Sequence, residues 1–160
     1  MKRLILAMIG LSMALMHASA QSPNGRGEAT LALEGGKVSI DYGRPNLKGR
    51  DLESLIAVGD EWRMGADAPT TLSTDVALKF GDKVVPSGKY VLRAKLVAKE
   101  QWHLLIQKEG KEPVAEVPFS YQKTDGSVEQ MTIKLEKQGS GGKLVLQWGT
   151  LSISAAFQKG

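Results

Sequence analysis

The chain predicts an all-β fold, an antiparallel β-sandwich of jelly-roll type with about eight or nine strands. Three observations predict it. Apolar residues alternate with a period of two in most of the chain beyond residue 36. Glycine-rich and proline-rich turn signals recur between those runs, and helical periodicity is confined to one short stretch. A closed β-barrel is the alternative arrangement of the same strands.

The first element is a leader. Lys2 and Arg3 precede an apolar run from Leu4 to Met16, and Ala18-Ser19-Ala20 offers the small residues that a signal peptidase accepts. Cleavage after Ala20 and a periplasmic or secreted location are therefore expected, with no membrane span left after cleavage. Gln21 to Glu28, rich in Ser, Pro, Asn and Gly, reads as a flexible leader, and residues 29–160 as a single domain. Removing twenty residues from 160 leaves 140, enough for one core that buries about two-thirds of the unfolded surface. No cysteine is present, so the fold rests on that core without disulfides. Loss of Lys2 and Arg3 lowers the formal charge from +4 to +2, too weak a bias for a nucleic-acid partner.

Along the domain, Val38, Ile40 and Tyr42 form one apolar face of a strand over Lys37 to Tyr42. Thr70 to Phe80 reads as a second strand through Leu72, Val76, Leu78 and Phe80. Tyr90 to Leu96, Trp102 to Ile106 and Met131 to Leu135 repeat the alternation. Leu144, Leu146 and Trp148, then Leu151, Ile153, Ala155 and Phe157, form the clearest pair, and Gly149-Thr150 between them suits a type II′ hairpin turn. Turns are also expected at Gly81-Asp82, Pro86-Ser87-Gly88, Asp125-Gly126 and Gly139-Ser140-Gly141-Gly142. Asp51 to Val58 is the one helical stretch, with Asp51 and Glu53 at its favourable N-terminal end.

That helix sits in the connection from Gly43 to Pro69, which is too long for an ordinary loop and must be pinned to the sandwich. Three of the five arginines that remain after cleavage, Arg44, Arg50 and Arg63, fall within one span of twenty residues there. A guanidinium fork holds a carboxylate, phosphate or pair of carbonyls in a way that lysine cannot. The candidate site is therefore Asp41, Arg44, Arg50, Glu61, Trp62, Arg63 and Asp67. It is either a structural clasp over Trp62 or a pocket for an anionic or glycan ligand, with Trp62 as its stacking face. The hydroxyls of Thr70, Thr71, Ser73 and Thr74 line an adjacent strand and fit β propensity alone.

Other chemistry is poorly provided for. His103 is the one histidine beyond the leader, so a zinc or copper site of nitrogen and sulfur ligands is not expected. No nucleophile motif, phosphate-binding loop or dinucleotide fingerprint is present, and no cofactor is expected. The chain thus reads as a non-catalytic binding or assembly module of the cell envelope. A glycan hydrolase using two of Asp41, Asp60, Glu61 and Asp67 is the alternative, and a partner that pairs through an exposed sheet edge is a third reading.

The order DYGRPNLKGR, EWRMGA, a Thr-rich strand and PSGKYVL resembles the bacterial exported family catalogued as domain of unknown function 2911. The resemblance runs from about Lys37 to Lys108, with a weaker echo in EQMTIKLE and LQWGTLSIS. It implies an exported, mostly β domain with no activity to carry over. Arg44, Pro45, Gly49, Arg50, Trp62, Arg63, Gly65 and Ala66 match its pattern, whereas Asp67 and Ala68 stand where relatives carry Asn and an acid.

Overall fold

The computed structural model describes residues 23–160, so the expected signal peptide lies outside the described residues. Eleven strands and one helical turn follow in the order β1 (Arg26–Leu33), β2 (Gly36–Gly43), α1 (Leu52–Leu55), β3 (Glu61–Trp62), β4 (Thr71–Thr74), β5 (Leu78–Phe80), β6 (Lys83–Val85), β7 (Gly88–Ala98), β8 (Gln101–Gln107), β9 (Pro113–Pro118), β10 (Ser120–Gln138) and β11 (Gly141–Lys159). One sheet has the order β1-β2-β4-β7-β8-β9, with β3 also paired to β7, and the other has the order β10-β11-β5-β6. All pairings are antiparallel, and neither sheet closes on itself. The fold is the expected sandwich rather than the barrel.

Period-two patterning makes the core. Val38, Ile40 and Tyr42 of β2, Leu72 of β4, Tyr90, Leu92 and Ala94 of β7, and Leu104 and Ile106 of β8 turn inward from the larger sheet. Met131 and Ile133 of β10, Leu144, Leu146 and Ile153 of β11, and Leu78 and Phe80 of β5 meet them from the smaller one. Each Val, Leu, Ile, Met or Phe side chain among them contributes about 1.5–3 kcal/mol on burial. The Tyr42 hydroxyl spends its polarity inside this layer by donating to the Ile133 carbonyl at 3.3 Å.

Four sequence expectations change. Thr70 to Phe80 is two strands: β4 belongs to the larger sheet and β5 to the smaller one. Thr74 turns the chain by donating from its hydroxyl to the Val76 carbonyl and accepting from the Val76 amide, and the Asp75 carboxylate accepts from the Lys37 amide. The alternation continues through the crossing, which is why it reads as one strand. Gly149-Thr150 is not a hairpin turn but an irregularity within β11, opposite a register shift in β10 at Val128. Its inward residues are even-numbered up to Trp148 and odd-numbered from Leu151, and one extra residue restores the face. The hairpin between β10 and β11 instead turns at Gly139-Ser140. Asp125-Gly126 lies within β10, inside the register shift between Lys123 and Val128, and is not a turn. Arg26 to Glu28, expected in the flexible leader, begin β1 and pair with Asp41 to Gly43.

Gly149 has φ +58, a backbone that a β-branched residue adopts only under strain. Gly149→Val should therefore lower stability by about 1–3 kcal/mol. Gly126→Ala, whose added carbon meets nothing within 4 Å, should stay within about 0.5 kcal/mol of the parent. Thermal unfolding followed by circular dichroism compares the two; equal melting points would contradict a strained position at Gly149.

Candidate functional site

The connection between β2 and β4 is closed at its base by backbone contact. A Cβ on Gly43, the last residue of β2, would collide with the Ala66 carbonyl. Met64, at φ 54, buries its side chain completely and presents its carbonyl to the Thr70 hydroxyl at 2.8 Å. In between, Asp51 caps α1 by accepting from the Glu53 amide, Asp60 accepts from the Ala57 amide, and Ile56 is buried. β3 then joins the larger sheet through Glu61↔Lys95 and Trp62↔Ala94.

The arginines address main-chain carbonyls in this region. Arg44 donates from Nε to the Met131 carbonyl at 3.2 Å and from Nη2 to the Thr132 hydroxyl at 3.1 Å, tying the end of β2 to β10 in the opposite sheet. Arg50 folds back onto the carbonyls of Leu47 and Asn46, at 3.0 and 2.8 Å, and lies 5.9 Å from the centre of the Trp148 ring. Arg63 makes one exposed hydrogen bond, to the Asp67 carbonyl at 3.2 Å. Arg26 does most at this end: it binds the Asp41 carboxylate and donates to the carbonyls of Ala66 and Ala68, at 3.3 and 3.1 Å. Sequence reasoning placed Arg26 in the leader and missed it. The signal was present, because Ala29, Leu31 and Leu33 alternate ahead of the Glu34-Gly35 turn into Val38.

The seven candidate residues do not converge on one pocket. Arg50 and Trp62 border one depression, Glu61, Trp62 and Arg63 a second, and Asp41 a third. Glu61 faces outward to Arg93 at 3.5 Å, and the Asp67 carboxylate accepts from the Asn24 side-chain Nδ2 at 3.3 Å. The stacking face of Trp62 is taken by Trp148, with ring centres 5.8 Å apart and planes 15° apart, and Trp102 meets it edge-on at 6.2 Å. Asp41, Asp60, Glu61 and Asp67 are all exposed, so none stands in the apolar surroundings that a glycosidase acid needs. His103 meets Glu116 at 3.0 Å across β8 and β9. Among the described residues no group of three or more His, Cys, Asp or Glu side chains is placed to hold a metal ion.

A different depression has more apolar walls. A cleft of about 690 Å³ opens between α1, the β7–β8 turn and the irregular stretch where β10 and β11 shift register. Leu47, Leu52, Ile56, Leu96, Trp102 and Leu151 give it apolar walls. Arg50, Asp51, Glu53, Lys99, Glu100 and Lys123 carry the charge around it, beside Tyr121. Burial pushes the Tyr121 phenol above its ordinary range, and the Glu100 and Glu53 carboxylates push it further the same way.

The family model described as Protein of unknown function (DUF2911) matches residues 22–157. The chain belongs to this family. The DUF2911 match extends well beyond the motif segment, through β10 and nearly all of β11. No curated protein and no solved structure matches the chain. The description of DUF2911 names no activity, so function must be argued from the geometry.

The hydrogen bonds rank the arginines. Arg44→Ala should cost about 1.5–3 kcal/mol, because a half-buried guanidinium loses partners in the opposite sheet. Arg63→Ala should stay within about 0.5 kcal/mol of the parent. Melting temperatures of both variants check the ranking, and a larger fall for Arg63→Ala would reverse it.

Proposed function

We propose that the protein is an exported, non-catalytic binding module of the cell envelope whose ligand occupies the cleft beside α1. The arginine-rich connection then serves as the clasp that holds one wall of that cleft. The observation that carries this reading is the cleft itself: its volume lies in the range of small-molecule sites, with mostly apolar walls and polar groups gathered around them. The clasp reading accounts for Arg26, Arg44 and Arg50, whose donors are already turned to carbonyls and to Asp41 or Thr132. Export is supported by the Lys2-Arg3 start, the apolar run and Ala18-Ser19-Ala20. Among the described residues no helix is long and apolar enough to cross a membrane.

Two measurements test the parts separately. The neutral fluorophore N-phenyl-1-naphthylamine, which brightens in apolar surroundings, should bind the purified protein at one saturable site. Thr150→Trp, which fills the cleft from its wall, should abolish that binding while leaving the melting point near that of the parent. Unsaturable binding, or binding that Thr150→Trp leaves unchanged, would defeat the cleft. For export, the intact mass of the protein recovered outside the cytoplasm should correspond to a chain beginning at Gln21; a chain that keeps residues 1–20 would defeat cleavage.

A further inference from the structure

Four strands end the two sheets, β1 and β9 in the larger and β10 and β6 in the smaller. An open edge invites pairing with another chain, and three of these four are shielded from it. β9 is bracketed by Pro113 and Pro118, and β6 is three residues long. β10 is interrupted by two register shifts; Glu129 and Met131 bond through their main chain to Leu47 and Pro45, and the Met131 and Ile133 carbonyls accept from Arg44 and Tyr42. β1 carries none of these devices: its eight residues, RGEATLAL, hold no proline and no lysine and pair with β2 without a shift.

The direction of its free groups follows from one bond. The Arg44 amide donates to the Gly25 carbonyl at 3.1 Å, and bonded and open residues alternate along an antiparallel ladder. The N–H and C=O groups of Arg26, Glu28, Thr30 and Ala32 therefore point away from β2, and among the described residues no strand pairs with that side of β1. All four residues are exposed. The Arg26 guanidinium is turned back to Asp41 and to the Ala66 and Ala68 carbonyls, which leaves Glu28 as the free charge of β1.

We propose that a second copy of the chain occupies this edge, β1 pairing antiparallel with β1 about a two-fold axis at Thr30. An axis there sets Glu28 opposite Ala32 and Thr30 opposite itself, with Arg26 facing Glu34 at the two ends. Leu31, half-buried at the rim of the core, comes to lie opposite Ala29. An axis at Glu28 or at Leu31 instead opposes carboxylates, Glu28 to Glu28 or Glu28 to Glu34. No residue of β1 lines the cleft, so the pairing is independent of the binding reading above.

Sedimentation velocity over a concentration series checks it. One eight-residue edge falls short of the roughly 1,200 Å² of a standard interface, so the purified protein should pass from monomer to dimer as concentration rises, and stop there. Thr30→Lys and Thr30→Glu change an exposed side chain and should keep the parent's melting point at low concentration. Each sets like charges across the axis and should raise the dissociation constant roughly fivefold. An equal mixture of the two should restore dimers, a result that damage to the fold would not give. Val84→Lys, on the edge strand β6, should leave the dimer intact. A dimer that both Thr30 variants leave unchanged or that Val84→Lys dissolves, a species larger than a dimer, or a mixture that stays monomeric would overturn the proposal. A monomer at every concentration would overturn it too, leaving the edge to an extended segment of another protein.

Discussion

Donation from guanidinium groups to main-chain carbonyls is the constraint around which the irregular part of this molecule is arranged. The connection between β2 and β4 is long, and outside the two residues of β3 and the Asn46↔Gln130 bridge it has no ladder to satisfy its backbone. Arg26, Arg44, Arg50 and Arg63 all direct N–H groups to carbonyl oxygens in or beside it. A guanidinium carries five donors in a rigid plane and no acceptor, so one side chain can serve several carbonyls at once. Lysine carries three donors on a flexible stem and could not replace the fork by which Arg50 reaches both Asn46 and Leu47.

The same constraint places the cleft. Arg44 ties the end of β2 to β10, and the amide of Leu47 donates to the Glu129 carbonyl, so the chain enters α1 along the edge of the smaller sheet. Further on, Gly59 donates to Leu96 and Leu96 donates to Asp60, which returns the chain to the larger sheet at β7. The strap thus crosses from one sheet to the other. The space beneath it is lined from both: Leu96 and Trp102 on one side, Tyr121 and Leu151 on the other. Trp62 stacked on Trp148 makes a second bridge between the sheets.

Much of the fold was legible because burial on one face imposes a period of two, and β7 shows it without interruption, β2 as far as Tyr42. Legibility failed where periodicity says nothing about direction. The crossing from β4 to β5 keeps the alternation while changing sheets, and the irregularity at Gly149 shifts the inward face by one residue, as a hairpin loop can also do. β9 is bracketed by Pro113 and Pro118, residues that argue against a strand except at a sheet edge, and β9 is an edge strand. The clasp was legible as an excess of arginine, but its partners were not, since carbonyl oxygens leave no mark in a sequence. The cleft was less legible still, because its walls come from four separate stretches between Leu47 and Leu151.

The clasp also distributes stability unevenly along the connection. Its base is fixed by the close approach of Gly43 to Ala66, the buried Met64 and the Thr70 hydroxyl, features that cannot loosen without opening the sandwich. Its middle holds on by less: α1 is four residues long, Ile56 is its buried neighbour, and Leu55 and Val58 remain 46% and 60% exposed. Exposed apolar side chains on a short helical turn contribute little to the core, so local rearrangement there costs a small fraction of the global unfolding free energy. The segment that can adapt at least cost is the one that borders the cleft, and the segment that cannot adapt holds it in place. A rigid frame carrying one compliant wall suits binding, where a site must be largely preformed yet still close around what enters it.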